Sequence, residues 1–387
     1  MFYATAVGLP ILYGKITEKY KCKQLDALAI IIFSFLMSLR AGTGTDLHSY
    51  SQFFARFAEG MTLRQEYYES YPFEPGFALV NFIMAKCGLP FGVFLFAVSV
   101  FNLSVLCLYV RKYEIKNKGL VLFFYFIIFD IFLSSLQIIR QSIAISFYFL
   151  AVIELEKHHG KKHCLKAALL VLIGASFHWT ALLALPLLFF FYFKREIRVS
   201  SLFLIAVIVP FVYNLMFNTS FAAIFSQVLG GTAGKRLDYY TNIYYADSIG
   251  IKSTFHMLVW LCISIGWIVF VSTFQYGNGK ASLVFSTRGF LTKRISLSIA
   301  EWSVIFFLIT KECLYIYRLD MLTRFQMYFF FFVPFVIVGI IRRFKGDFRT
   351  NLIVVLVVMF LYRFVESCIE LNETFGSVTY NLANYFY

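Results

Sequence analysis

Apolar runs of about 15 to 22 residues recur along this chain, and short basic gaps separate them. A helix that crosses a bilayer needs about 20 predominantly apolar residues. The runs are too many for one buried core, so they read as a polytopic membrane bundle. Gaps at 15–23, 111–118, 157–166, 194–198, 280–294 and 342–349 hold 23 of the 35 Lys and Arg. Basic loops mark the cytoplasmic side. The net charge of +14 therefore reports topology, and no nucleic acid partner is expected. Charged residues make up 14% of the chain, well below the ~25% of soluble domains.

In chain order, residues 1–14 read as a first span, without the basic leader and small-residue cleavage site of a removed signal. Residues 25–39 read as a second. The polar segment 40–76 follows, RAGTGTDLHSYSQFF…YPFEPG, and reads as an extracytoplasmic loop. Its aromatic residues argue against disorder. The apolar stretch 77–85 is too short to cross, so a re-entrant or interfacial helix is expected near 76–86. Spans are expected at 91–110, 119–133 and from 140 to the basic gap near 157. The stretch 165–193 is basic at both ends and polar only at SFHWT. It reads as two short spans with His178 at the outer turn. Further spans fall at 199–217, 254–275, 296–310, 324–342 and 350–368, with outer loops at 218–253 and 311–323. The expected fold is all-α: one integral membrane domain over 1–387, a bundle of about 12 spans (roughly 10–13).

No cofactor is called for. The seven Cys are scattered, without metal-ligand spacing, and an odd count does not make a disulfide framework. The GTG at 42–44 lacks the βαβ context of a dinucleotide fingerprint.

On this topology Arg40, Asp46, Glu74, Arg140, Gln141, His178, Arg236 and Arg324 lie at or near the outer ends of spans. Ionisable groups at membrane depth cost about 2.5–3.5 kcal/mol each, and the positive-inside rule works against outer Arg. A cluster of Arg with a few acids, a His and many Tyr suits an anionic, lipid-linked substrate. Guanidinium forks match phosphate oxygens, and Tyr faces stack on sugar rings. A preactivated donor such as a lipid pyrophosphate sugar supplies the energy, and Arg neutralises the leaving phosphate without a metal. The acceptor hydroxyl needs a base, for which Asp46, Glu74 and His178 are the candidates.

Each residue also has a plainer reading. Arg40 and Arg324 serve as snorkelling span-end anchors, Glu74 as a helix cap, Asp46 as an Asx turn and His178 as a structural turn residue. Arg140 fits such a reading poorly, because a cation opening a helix opposes the helix dipole. His158, His159 and His163 read as solvated charge in a basic gap.

Five elements then recur in a familiar order. They are LRAGTGTDLHSYSQFF (Arg40, Gly44, Thr45, Asp46, Tyr50), YPFEPGFALVNFIM (Glu74, Gly76, Phe77), IIRQSIAISFYFLAV (Arg140, Gln141, Ala144), ASFHWTALLALPL (Phe177, His178, Ala181) and LTRFQMYFFFFVP (Arg324, Tyr328, Phe329). With them the chain resembles the EpsG branch of the Wzy-type O-antigen and exopolysaccharide polymerases. The first element departs from the pattern: Ala-Gly-Thr follows Arg40 where an aromatic often stands, and Leu47 follows Asp46 where Tyr is common.

The resemblance implies a GT-C-like glycosyltransferase of the bacterial inner membrane, with its active site facing the periplasm. Its substrate would be an undecaprenyl-pyrophosphate-linked glycan amid membrane lipid, and a chain-length-regulator protein would be its partner. Arg140 and Arg324 would take the pyrophosphate. Arg40 and Arg236 would make secondary phosphate or glycan contacts, with Tyr50, Gln141 and Tyr328 also binding substrate. Asp46, or else Glu74 or His178, would be the base.

Two rivals follow from the same residues. An O-antigen ligase uses nearly the same chemistry. A lipid-linked oligosaccharide flippase should show two similar halves and charges near mid-bilayer. The chain shows no half-repeat and its charges cluster at outer ends, with Arg363 and Glu366 inside the last expected span as the best evidence for this rival.

Overall fold

A computed structural model describes residues 23–41, 45–68, 73–112, 118–128, 135–158, 160–194, 196–218, 251–273, 291–316, 320–344, 346–375 and 379–380, with the isolated positions 8, 10, 12–14, 16 and 131. These residues are almost entirely helical. The helices are α1 (Lys23–Ser38), α2 (Thr45–Ala58), α3 (Leu63–Tyr67), α4 (Pro75–Lys86), α5 (Phe91–Lys112), α6 (Lys118–Ile127), α7 (Ile139–Lys157), α8 (Lys161–Ala175), α9 (Ala181–Phe193), α10 (Val199–Asn218), α11 (Ile251–Thr273), α12 (Ile299–Ile316), α13 (Asp320–Phe330), α14 (Val333–Arg343) and α15 (Gly346–Phe375). Four short strands accompany them: β1 (Arg40–Ala41), β2 (Glu196–Arg198), β3 (Arg294–Ser296) and β4 (Thr379–Tyr380).

Phe91–Lys112, Leu322–Arg342 and Gly346–Val365 are long and apolar enough to cross a membrane. Shorter apolar helices occupy Gln24–Ser38, Ala181–Phe193, Val199–Tyr213 and Met257–Thr273. The chain is a helical membrane protein. Most of the span expected at 1–14 and nearly all of the loop expected at 218–253, Arg236 included, lie outside the described residues.

The chain forms two compact units, Met1–Leu185 with Ile337–Tyr387, and Pro186–Val336. In the first unit β1 pairs antiparallel with β4, Arg40 opposite Tyr380. In the second, β2 pairs with β3, Ile197 opposite Ile295. Each ribbon ties two distant parts of the sequence together. The β2–β3 ribbon joins two of the basic gaps.

The second unit packs around Trp302 of α12. Phe191 of α9 stacks on its indole at 5.7 Å, and its Nε1 donates to the Lys194 carbonyl at 3.1 Å. On the same helix the buried Glu312 accepts from the Ser264 hydroxyl of α11.

The first unit departs from the sequence reading at 40–75. That stretch is not open loop, because α2 and α3 form within it. Leu47, Tyr50, Phe53, Phe54 and Phe57 recur at helical spacing and are all buried. Thr62 and Gln65 make a reciprocal capping box that starts α3.

Helix α4 is the short helix expected near 76–86. Pro75 opens it at the first position, where its missing N–H costs nothing. It closes on Gly88 at φ +69. There the Leu89 N–H bonds the Met84 carbonyl at 3.1 Å and the Gly88 N–H bonds Ala85 at 3.0 Å, a Schellman closure. Twelve residues reach about 18 Å, short of the ~30 Å hydrocarbon core.

A buried polar ladder holds α5 against α7. Asn102 donates to the Ser142 hydroxyl at 2.9 Å and accepts from the Ser146 hydroxyl at 2.7 Å. Lateral hydrogen bonds of this kind fix the rotation of α7, and with it the direction of its first turn.

Candidate functional site

Helix α7 begins without a side-chain cap, and its second residue is Arg140. Helix N-termini carry partial positive charge, so a cation here needs compensation. Glu74 supplies it. Arg140 Nη1 donates to Glu74 Oε2 at 2.5 Å, and Arg140 Nε donates to the Tyr50 hydroxyl at 3.3 Å. The guanidinium also lies 4.7 Å from the centre of the Phe73 ring and 5.6 Å from that of Tyr50. Three elements therefore meet on one charge: α2 through Tyr50, the entry to α4 through Phe73 and Glu74, and α7 through Arg140.

The backbone explains how Glu74 comes to be there. It occupies the N-cap position of α4, yet its side chain makes no capping hydrogen bond. Its carbonyl starts the helix instead, accepting from Ala78 N at 3.0 Å. The carboxylate is left to turn toward Arg140, so capping does not account for this residue.

Aromatic packing sets the floor of the site. Phe53 meets Phe73 at 4.3 Å, and Phe77 meets Tyr50 at 5.3 Å. Low-polarity surroundings strengthen the ion pair. The pair is not sealed, however: the Arg140 side chain is 20% exposed and the Glu74 side chain 14%. Two of the guanidinium's donor nitrogens are committed, and Nη2 has no hydrogen-bond partner among the described residues.

Asp46 lies in the first turn of α2, one turn before Tyr50 and on the same face. It is half-buried and makes no hydrogen bond or ion pair among the described residues.

His178 occupies the turn between α8 and α9 and is 3% exposed. Its Nδ1 accepts from the Thr180 N–H at 3.3 Å and lies 2.9 Å from the Thr180 hydroxyl. Accepting at Nδ1 puts the proton of a neutral imidazole on Nε2. In that tautomer the ring organises the start of α9. The turn joins the site through α4: the Gly76 N–H donates to the Ser176 carbonyl at 2.8 Å. Phe177 stacks on Phe147 of α7 at 5.9 Å.

The remaining expected residues are spread wider. Gln141 follows Arg140 and is buried. Arg40 is placed by its backbone pairing with Tyr380. Arg324 and Tyr328 are on α13 in the second unit, Arg324 half-buried and Tyr328 fully buried. The structure thus brings Tyr50, Glu74 and Arg140 into direct contact. The sequence reading did not single out Phe73 or Glu66 as site residues. Phe73 had a signal, an aromatic immediately before the Glu-Pro-Gly that opens α4.

No group of three His, Cys, Asp or Glu is arranged to hold a metal ion among the described residues.

A model of the EpsG family matches residues 24–382 of the chain. No curated protein and no solved structure matches it.

Proposed function

The chain belongs to the EpsG family, and from that premise we propose that it is a membrane glycosyltransferase that polymerises undecaprenyl-pyrophosphate-linked repeat units into O-antigen or exopolysaccharide. In this reading a GT-C-like bundle of about twelve spans carries the site on the periplasmic face of the bacterial inner membrane. One observation carries it above the others. Arg140 is locked by Glu74 and Tyr50 over the Phe73 ring, with Nη2 directed to no protein partner among the described residues. A fixed, permanently charged donor suits a pyrophosphate oxygen on which charge develops during reaction.

The step is a displacement at the anomeric carbon of the donor glycan. The acceptor sugar hydroxyl oxygen forms the new C–O bond. The bond to the pyrophosphate breaks, and undecaprenyl pyrophosphate leaves with the electron pair. Arg140 balances the charge that builds on the leaving oxygen. Asp46 takes the hydroxyl proton: of the two candidate acids it is the one that makes no hydrogen bond or ion pair among the described residues, whereas Glu74 gives its oxygen to Arg140 and His178 Nδ1 accepts from Thr180. Glu74 orients Arg140, and Tyr50 fixes its edge.

The test is a polysaccharide ladder from a strain lacking the protein, complemented with wild type or with Arg140→Ala. The reading expects a single lipid-linked repeat on its core in the null strain, and a ladder restored by wild type alone. Full-length polymer accumulating on undecaprenyl pyrophosphate in the null strain would instead make the protein a ligase. Single repeats confined to the cytoplasmic leaflet would make it a flippase.

A further inference from the structure

The segment that delivers Glu74 to Arg140 is itself held by a carboxylate that no step of the transfer uses. Glu66 sits on α3 and is 3% exposed. Burying a carboxylate in aromatic surroundings is costly unless its oxygens are satisfied. Here Oε1 accepts from the backbone N–H of Phe73 at 3.0 Å, and Oε2 faces Arg56 Nη2 of α2 at 3.8 Å, an ion pair longer than a hydrogen bond. The capping box of Thr62 and Gln65 fixes the helix that presents it.

Phe73 is therefore held twice. Its main chain is fixed by Glu66, and its ring packs on Phe53 at 4.3 Å. The Arg140 guanidinium lies 4.7 Å from the centre of the same ring. The next residue in the chain is Glu74. A shift of the Phe73 nitrogen moves both groups that aim Arg140, the ring beneath it and the carboxylate beside it.

We propose that Glu66 is a positioning residue of this site: its buried carboxylate grips the Phe73 amide and so sets where Glu74 and the Phe73 ring meet Arg140. The geometric part stands alone, and the consequence for catalysis rests on the polymerase reading. Misplacement of a catalytic group by about 1 Å costs on the order of 10²-fold in rate.

The full-length protein tests this with two readouts, the ladder in the complemented null strain and hydrogen exchange at the Phe73 amide in detergent. Glu66→Ala is expected to lower polymer yield about 10–100-fold and to speed exchange at Phe73, at wild-type protein level. Glu66→Gln keeps an acceptor oxygen and is expected to restore both, which a need for the negative charge would not allow. Where Glu66→Ala is not retained in the membrane, Glu66→Asp takes its place, since it withdraws the carboxylate by one methylene. A full ladder from the Ala or Asp variant, unchanged Phe73 exchange, or loss of the ladder in Glu66→Gln at normal protein level overturns the proposal. If wild type itself restores no ladder, the polymerase reading fails, and the exchange at Phe73 still decides the role of Glu66.

Discussion

Arg140 and Glu74 stand 66 residues apart in the chain and 2.5 Å apart in the fold. The carboxylate cancels the charge conflict that a cation creates at the start of α7. It also leaves Nη2 of the guanidinium without a hydrogen-bond partner among the described residues. Compensation and availability in one side chain are what a site for a phosphate-bearing substrate needs.

Arg140→Lys will not substitute for arginine. An ammonium lacks the planar fork that donates from Nε to Tyr50 and from Nη1 to Glu74 above the Phe73 ring. Chain extension should fall by about 10²–10³-fold, with the protein present at wild-type level. Band intensity in the ladder, normalised to protein in the membrane fraction, measures it. A ladder of normal length would remove Arg140 from the chemistry.

The ion pair should show a characteristic pattern in stability. Glu74→Ala leaves a mostly buried guanidinium without its counter-charge, at a cost of about 1–3 kcal/mol. Removing Arg140 as well relieves that cost. Thermal unfolding in detergent should therefore place the double variant Glu74→Ala/Arg140→Ala above Glu74→Ala alone. Additive losses would mean that the two groups do not interact.

Asp46→Asn should separate chemistry from folding. The amide keeps the shape but cannot take a proton from the acceptor hydroxyl, so chain extension should drop about 10²–10⁴-fold. The melting temperature should stay within a few degrees of wild type, because Asp46 makes no hydrogen bond or ion pair among the described residues. Full activity in this variant would hand the base role to another group.

Gly76→Ala tests the junction between α4 and the α8–α9 turn. A Cβ at Gly76 would lie 2.3 Å from the Ser176 hydroxyl oxygen and 2.9 Å from its carbonyl oxygen. Overpacking of this kind costs about 1–3 kcal/mol. Ser176→Ala should recover only part of it, since the carbonyl remains. Melting temperatures of wild type, Gly76→Ala and Gly76→Ala/Ser176→Ala measure the difference, and a neutral Gly76→Ala would mean that the two segments separate without penalty.

The sequence made the helical membrane character plain, because apolar runs and basic gaps are local signals. The short helix at 76–86 was legible for the same reason: Pro at its start and Gly-Leu-Pro behind it are punctuation within a few residues. Helices α2 and α3 had signals as well, the spacing of Leu47, Tyr50, Phe53 and Phe57 and the Thr62/Gln65 pair. Polar composition and the flanking Gly-Thr repeats masked them. Tyr50, Glu74 and Arg140 each drew attention singly, but nothing local says that they touch. Their contact depends on how α7 is rotated, and Asn102, Ser142 and Ser146 fix that rotation. Those residues looked unremarkable because buried hydrogen-bond partners 40 or more positions apart leave no mark on sequence spacing.

The aromatic cluster has a consequence for biogenesis. Phe53, Phe57, Phe73, Phe77 and Phe94 are all translated before the first residue of α7. At 5–20 residues per second, the 66 residues between Glu74 and Arg140 take about 3–13 s to synthesise. Through that interval α2 and α4 pack through contacts such as Phe53 with Phe77 at 5.9 Å, while the Glu74 carboxylate at the start of α4 has yet to meet Arg140. The nascent chain thus builds the hydrophobic cradle first, and the charged centre closes only when the ribosome has delivered α7.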